Sequence, residues 1–142
     1  MILQRRISVL SFTVCGLYLI GLGLYFVLFR PALLPEDPRY IGSSLGQIQA
    51  ALPGLERWLG HVFDVMGGFM AGAGLLTVLV ATGAVSARQK GTAVILALAG
   101  LATVGMMSWT NFAIASDFKW LLVAPAVLWL LGICSYLMEG RR

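Results

Sequence analysis

Arg57, His61 and Asp64 are titratable side chains spaced at intervals of four and three. On an α-helix that spacing puts all three on one face. An imidazole beside a carboxylate can hold or pass a proton near neutral pH, since each group biases the other's protonation. Such pairs occur in the proton relays and polar sites of membrane proteins. The same pair serves equally well as a structural ion pair that pins one helix against another, and both readings stay open. Asn111, at the end of a later apolar run, is a further polar candidate. These four residues form the candidate ligand-binding group, and no catalytic residue is assigned.

The remaining polar residues point away from metal and cofactor chemistry. A single histidine and two separate cysteines, Cys15 and Cys134, are too few ligands for a zinc or copper centre. Both cysteines lie inside apolar runs, without C-x-x-C spacing, and read as small packing residues. No metal or cofactor is expected. Asp117 reads as a helix N-cap, and Glu36 and Asp37, flanked by prolines, as a solvated loop. There is no HExxH and no glycine-rich phosphate loop.

The elements that position these residues follow from composition. Of 142 residues, 59% are hydrophobic and 11% charged, and the mean hydropathy is +0.89. A soluble domain is roughly half apolar and a quarter charged, so a bilayer must act as part of the solvent. Apolar runs at 7–29, 59–84, 92–112 and 118–138 are each long enough to span one. The first has no small-x-small cleavage site and reads as a span, not a signal peptide. The expected fold is all-α: an integral membrane four-helix bundle, one transmembrane domain over residues 1–142, with an outer loop at 30–58. Within that loop Ser44 and Gln47 have capping-box spacing. Ile41, Leu45, Ile48 and Leu52 recur at helical intervals, which predicts a short amphipathic helix on the membrane surface. Pro53 ends it and can open the next helix.

The second span contains Gly67, Gly68, Ala71 and Gly72, two overlapping small-xxx-small pairs. Such pairs let helices approach closely in lipid, so these residues are expected to pack against another helix. With Trp58 at headgroup level, Asp64 would lie roughly 9 Å deeper. An acid there is costly in lipid, and its face is expected to turn into the bundle, toward Asn111.

Charge sets the orientation. Arg5, Arg6, Arg88, Lys90, Arg141 and Arg142 stand against Glu139 on the side that holds the termini. Arg30, Arg39, Arg57 and Lys119 are outnumbered on the other side by Glu36, Asp37, Glu56, Asp64 and Asp117. The positive-inside rule makes both termini cytoplasmic, in a multi-pass protein of the cell (inner) membrane. The basic residues flank apolar runs instead of forming a face with interleaved aromatics, so nucleic acid is not an expected partner. Aromatic residues crowd the outer end, among them Phe26, Phe63, Trp58, Trp109 and Trp120. An interfacial belt explains part of this, and an aromatic-walled outer pocket is the other reading.

The plan of a long first outer loop, carrying Pro35-Glu36-Asp37-Pro38-Arg39-Tyr40-Ile41-Gly42 before a glycine-rich second helix, resembles small bacterial membrane proteins of the DoxX-like group. That resemblance implies a four-helix membrane fold and carries no catalytic residue over. The function expected is a non-enzymatic membrane protein, either a homo-oligomer or an accessory of other membrane subunits, with a small-ligand pocket at its outer face. The alternatives are a membrane enzyme acting on a lipid-like substrate through His61 and Asp64, or a proton-coupled carrier working as a dimer.

Overall fold

The computed structural model describes residues 2–140, with side chains from Ile7 onward. Arg5, Arg6, Arg141 and Arg142, which carry part of the charge asymmetry, lie outside the described side chains. Among the described residues every regular element is helical: α1 (Ile2–Leu28), α2 (Glu36–Ile41), α3 (Leu45–Ala51), α4 (Leu55–Val80), α5 (Thr92–Gly100), α6 (Met106–Ala113) and α7 (Lys119–Glu139). A π-helical turn, Ala81–Val85, extends α4, and another, Leu101–Gly105, joins α5 to α6. Four continuous helices result, Ile7–Leu28, Leu55–Val85, Thr92–Ala113 and Lys119–Glu139, each long and apolar enough to cross a membrane.

Local chemistry sets the boundaries. The Ser44 side chain accepts the Gln47 N–H, and the Gln47 side chain accepts the Ser44 N–H, so the predicted capping box starts α3. Helix α4 begins at Leu55 behind Gly54, and Pro53 stays outside it. The proline-flanked stretch read as a solvated loop instead winds one short helix, α2, which Gly42 ends at φ 76°. Asp117 does not cap α7, whose N-cap is Phe118 without a side-chain bond.

Packing is organised around α1, which lies between α4 and α7; α7 in turn carries α5 and α6. Glycines explain the α1–α4 contact. Gly16 and Gly23 are seven residues apart, as are Gly67 and Gly74, so two turns of one helix match two turns of its antiparallel neighbour. A Cβ on Gly23 would stand 2.5 Å from the Gly67 carbonyl, and one on Gly74 2.5 Å from that of Gly16. Such backbone proximity supplies dispersion contacts that lipid cannot. On the other flank Phe12 meets Trp129 edge-on at 5.3 Å and lies over Gly132. Trp129 sits against Gly100 and donates its indole N–H to the Leu96 carbonyl at 2.9 Å.

Pro125 interrupts the α7 hydrogen-bond ladder and leaves the Leu121 carbonyl without its usual donor. Helix α1 supplies one: Tyr18 Oη donates to that carbonyl at 2.9 Å. Tyr18→Phe should therefore lower stability by about 1 kcal/mol, read from the unfolding midpoint in a denaturing-detergent titration. An unchanged midpoint would mean that this bond does not anchor the kink.

Helix α4 stands apart in length. Its apolar span has 31 residues against 21 or 22 for the other three, or roughly 46 Å against a hydrocarbon core of roughly 30 Å. Gly74 faces Gly16, Gly67 faces Gly23, and Phe63 meets Phe26 and Arg30. Residues 63 and 64 are thus level with the last turn of α1, and the first two turns of α4 rise beyond it. Asp64 is therefore level with the end of α1 and not with its middle.

Candidate functional site

The α4 face that carries Arg57, His61 and Asp64 points away from α1. The side chains of His61 and Asp64 are 78% and 54% exposed, and they pair with each other at 3.7 Å between Nδ1 and Oδ2. Arg57 is exposed on the same side. Asn111 belongs to α6, where its amide donates to the Met107 carbonyl at 2.8 Å. Among the described residues no hydrogen bond or ion pair joins it to the α4 group. The expectation that this face turns inward toward Asn111 is overturned. A helix presents one stripe to its neighbour, and the Gly67–Gly74 stripe matches the glycines of α1.

The small-residue pairs divide for the same reason. Gly67 and Ala71 pack on α1, whereas Gly68 and Gly72 have no atom within 4 Å of where a Cβ would be. Gly68 and Gly72 instead lie on the open outer surface of α4, in a shallow apolar depression between Val65, Phe69, Ala73 and Leu76 of the same helix. The depression begins one turn below the His61–Asp64 pair. Beside it stands Phe69, whose ring is 77% exposed.

Two polar clusters not anticipated from sequence close the ends of the molecule. At the end that holds the α1–α4 connection the Arg30 side chain is only 8% exposed and lies 3.4 Å above the Phe63 ring and 5.1 Å from that of Phe26. Asp37 stands 3.9 Å from its guanidinium and accepts the Leu34 N–H at 2.8 Å. Burial lowers the proton affinity of Arg30, and the charges of Asp37, Tyr25 and Glu36 oppose that shift. Glu36, expected in solvent, is buried and accepts a hydrogen bond from Ser116 Oγ at 3.0 Å. Arg39 and Asp117 form an exposed bridge at 3.0 Å. The first outer loop is thereby strapped across the ends of α1, α4 and the α6–α7 turn. Two acids set beside a base in Glu36-Asp37-Pro38-Arg39 were the available signal.

At the opposite end, beside the α4–α5 connection, Arg88 donates to Glu139 Oε2 at 3.0 Å and to the Tyr136 carbonyl at 2.9 Å, with its guanidinium 4.3 Å over the Tyr136 ring. Ser8 Oγ lies 3.3 Å from the same carboxylate oxygen. The Glu139 side chain is 5% exposed. Arg88 adopts a left-handed backbone, φ 51°, a strained conformation for a residue with a Cβ. These contacts hold it there. Glu139 is the single acid on a basic rim, and that isolation was its signal in the sequence.

The outer aromatic residues do not converge on one chamber. Phe26 and Phe63 embrace Arg30, Phe112 and Trp120 meet edge-on at 5.2 Å, and Trp58, Trp109 and Tyr40 face outward. Among the described residues no three metal-ligating side chains gather. The outward face of α4 is open, with the His61–Asp64 pair above Gly68 and Gly72, and the other spans expose apolar side chains as well, Leu10, Leu98 and Leu130 among them. Comparison of the chain with protein-family models, curated proteins and solved structures finds no match.

Proposed function

We propose that the protein is a non-catalytic integral membrane subunit that works by lateral assembly within the bilayer through the outward face of α4. One observation carries this reading. Two glycines four residues apart, Gly68 and Gly72, sit in a membrane-spanning helix where the chain itself places nothing against them. Glycine weakens a helix by up to about 1 kcal/mol relative to alanine, and in lipid its return is the close approach of another helix. The glycines at 16, 23, 67, 74, 100 and 132 each meet a neighbour, whereas Gly21, Gly60 and Gly83 stand open singly; Gly68 and Gly72 are the open pair at small-xxx-small spacing. The four spans form an inner-membrane bundle around α1, with both termini cytoplasmic.

The assembly reading is tested with Gly72→Cys in a Cys134→Ser background, labelled with a benzophenone maleimide and irradiated in native membranes. A crosslinked adduct to a polypeptide is expected there, and none from Leu98→Cys on the lipid-facing side of α5. Equal yields at both positions, or none at either, would reject the α4 face as an interface. Orientation has its own check. Pro35→Cys should react with a membrane-impermeant thiol reagent on intact cells while Gln89→Cys stays protected, and the reverse pattern would invert the topology.

A further inference from the structure

Resting on the orientation with both termini cytoplasmic, we infer that the α6–α7 turn carries a peptidase cleavage site between Ala115 and Ser116, which the first outer loop keeps shut. The enzyme it fits is a membrane-bound endopeptidase of the outer face that reads small side chains one and three residues before the cut. Such an enzyme recognises three features in order: a basic flank on the cytoplasmic side, an apolar helix, and a small-x-small triplet just beyond it. Residues 88–116 carry all three. Arg88 and Lys90 precede the span Thr92–Ala113, which turns polar at Ser108, Thr110 and Asn111. Ala113 closes α6, and Ala113 and Ala115 flank Ile114 at the point where the helix stops. The other Ala-x-Ala triplets, beginning at 71, 97 and 124, lie inside spans. There the backbone is fully paired within its own helix and surrounded by lipid.

The fold accounts for resistance in the intact chain. An extended peptide is gripped by adding it as a strand, backbone to backbone. Here the segment is wound. The N–H groups of Ile114, Ala115 and Ser116 donate to the carbonyls of Thr110, Phe112 and Asn111 at 3.0, 3.1 and 2.9 Å. Ala115 turns through the left-handed region at φ 52°, a costly conformation for a residue with a Cβ. Ala113 and Ala115 are exposed, but Ser116, the residue after the cut, is 2% exposed. Its Oγ donates to Glu36 Oε1 at 3.0 Å and accepts the Phe118 N–H at 3.2 Å. Asp117 next to it is bridged to Arg39 at 3.0 Å. Both residues past the cut are therefore tied to α2, and α2 is the lock. Once it lifts, the strain at Ala115 favours unwinding into the extended form. Hydrolysis then breaks the Ala115–Ser116 amide: water adds its hydroxyl to the Ala115 carbonyl carbon and its remaining hydrogen to the Ser116 nitrogen. The cut frees α7 from the other spans, so it falls on chains whose outer loop has not docked.

The test uses the full chain with a C-terminal epitope tag, expressed in native membranes. The unsubstituted chain should remain whole. Glu36→Ala combined with Arg39→Ala should release a tagged fragment whose first residue is Ser116, about tenfold more than the unsubstituted chain, because cleavage tracks the population of the opened form. Adding Ala113→Leu or Ala115→Leu to that variant should abolish the fragment, whereas general degradation of a misfolded chain would ignore either change. No fragment beginning at Ser116, or one that persists with leucine at both positions, overturns the site. Equal cleavage of the unsubstituted chain overturns the loop as its lock. Thiol labelling of Pro35→Cys separates the two readings: with the loop outside and no fragment, the cleavage site alone is rejected, and with the loop inside, the orientation falls.

Discussion

Leucine in place of Gly74 or Gly23 should destabilise the fold by about 3 kcal/mol, at the upper end of what overpacking costs. The obstacle is backbone and not the tip of a flexible side chain. At Gly23 the new Cβ would lie 2.5 Å from both the Gly67 carbonyl oxygen and the Ala71 nitrogen, and at Gly74 it would press on Gly16 and Ile20. Relief requires the axes of α1 and α4 to separate, which loosens the whole length of the contact that α1 makes with α4. A Cβ at Gly68 or Gly72 meets nothing within 4 Å, so leucine on this open surface should leave monomer stability within about 0.5 kcal/mol. Denaturing-detergent titration under conditions that keep the protein monomeric compares the four variants directly. Equal destabilisation at 68 and 74 would mean that the two glycine stripes have been assigned to the wrong faces.

The second large effect is expected at the inner end. Arg88→Ala leaves Glu139, with its side chain 5% exposed, facing only Ser8 Oγ. Removing one partner of a buried pair typically destabilises by 3 kcal/mol or more, because the remaining charge has no compensation. Oε1 of Glu139 is already buried without a hydrogen-bond partner among the described residues, so this carboxylate has no reserve contact to fall back on. The α4–α5 connection should loosen too, since Arg88 holds it to the Tyr136 carbonyl. The double variant Arg88→Met, Glu139→Leu should recover most of the loss, as apolar replacements of both partners often do. Thermal unfolding in detergent, followed by helicity, reads both variants. A double variant as unstable as Arg88→Ala would indicate that shape and not charge dominates at this end.

The two effects act on different joints. The glycines set how closely α1 and α4 approach along their length, and the Arg88–Glu139 pair sets the level at which α7 meets the α4–α5 loop. A strap built from Arg30, Asp37 and Glu36 does the same at the outer end. With both ends tied, the helices are fixed relative to one another, and their lateral faces, that of α4 among them, stay exposed.

Much of this was readable from the one-dimensional pattern. Long apolar runs bounded by charge and aromatic residues place four membrane-spanning helices within a few residues, because hydrocarbon forces the backbone to satisfy itself within each helix. Ser44 and Gln47 likewise announce α3, since a capping box depends on residues three apart. Helical spacing also put Arg57, His61 and Asp64 on one face correctly. Which way that face points is a different kind of question. It depends on α1, some forty residues upstream, whose glycines match Gly67 and Gly74 and so rotate Gly68, Gly72 and the rim pair outward. The burial of Glu36 and Glu139 was hidden for the same reason, as their partners Ser116 and Arg88 lie 80 and 51 residues away in the chain. Periodicity reports the faces of a helix, because neighbours along the chain create them. The choice of face to bury belongs to the pair of helices that meet.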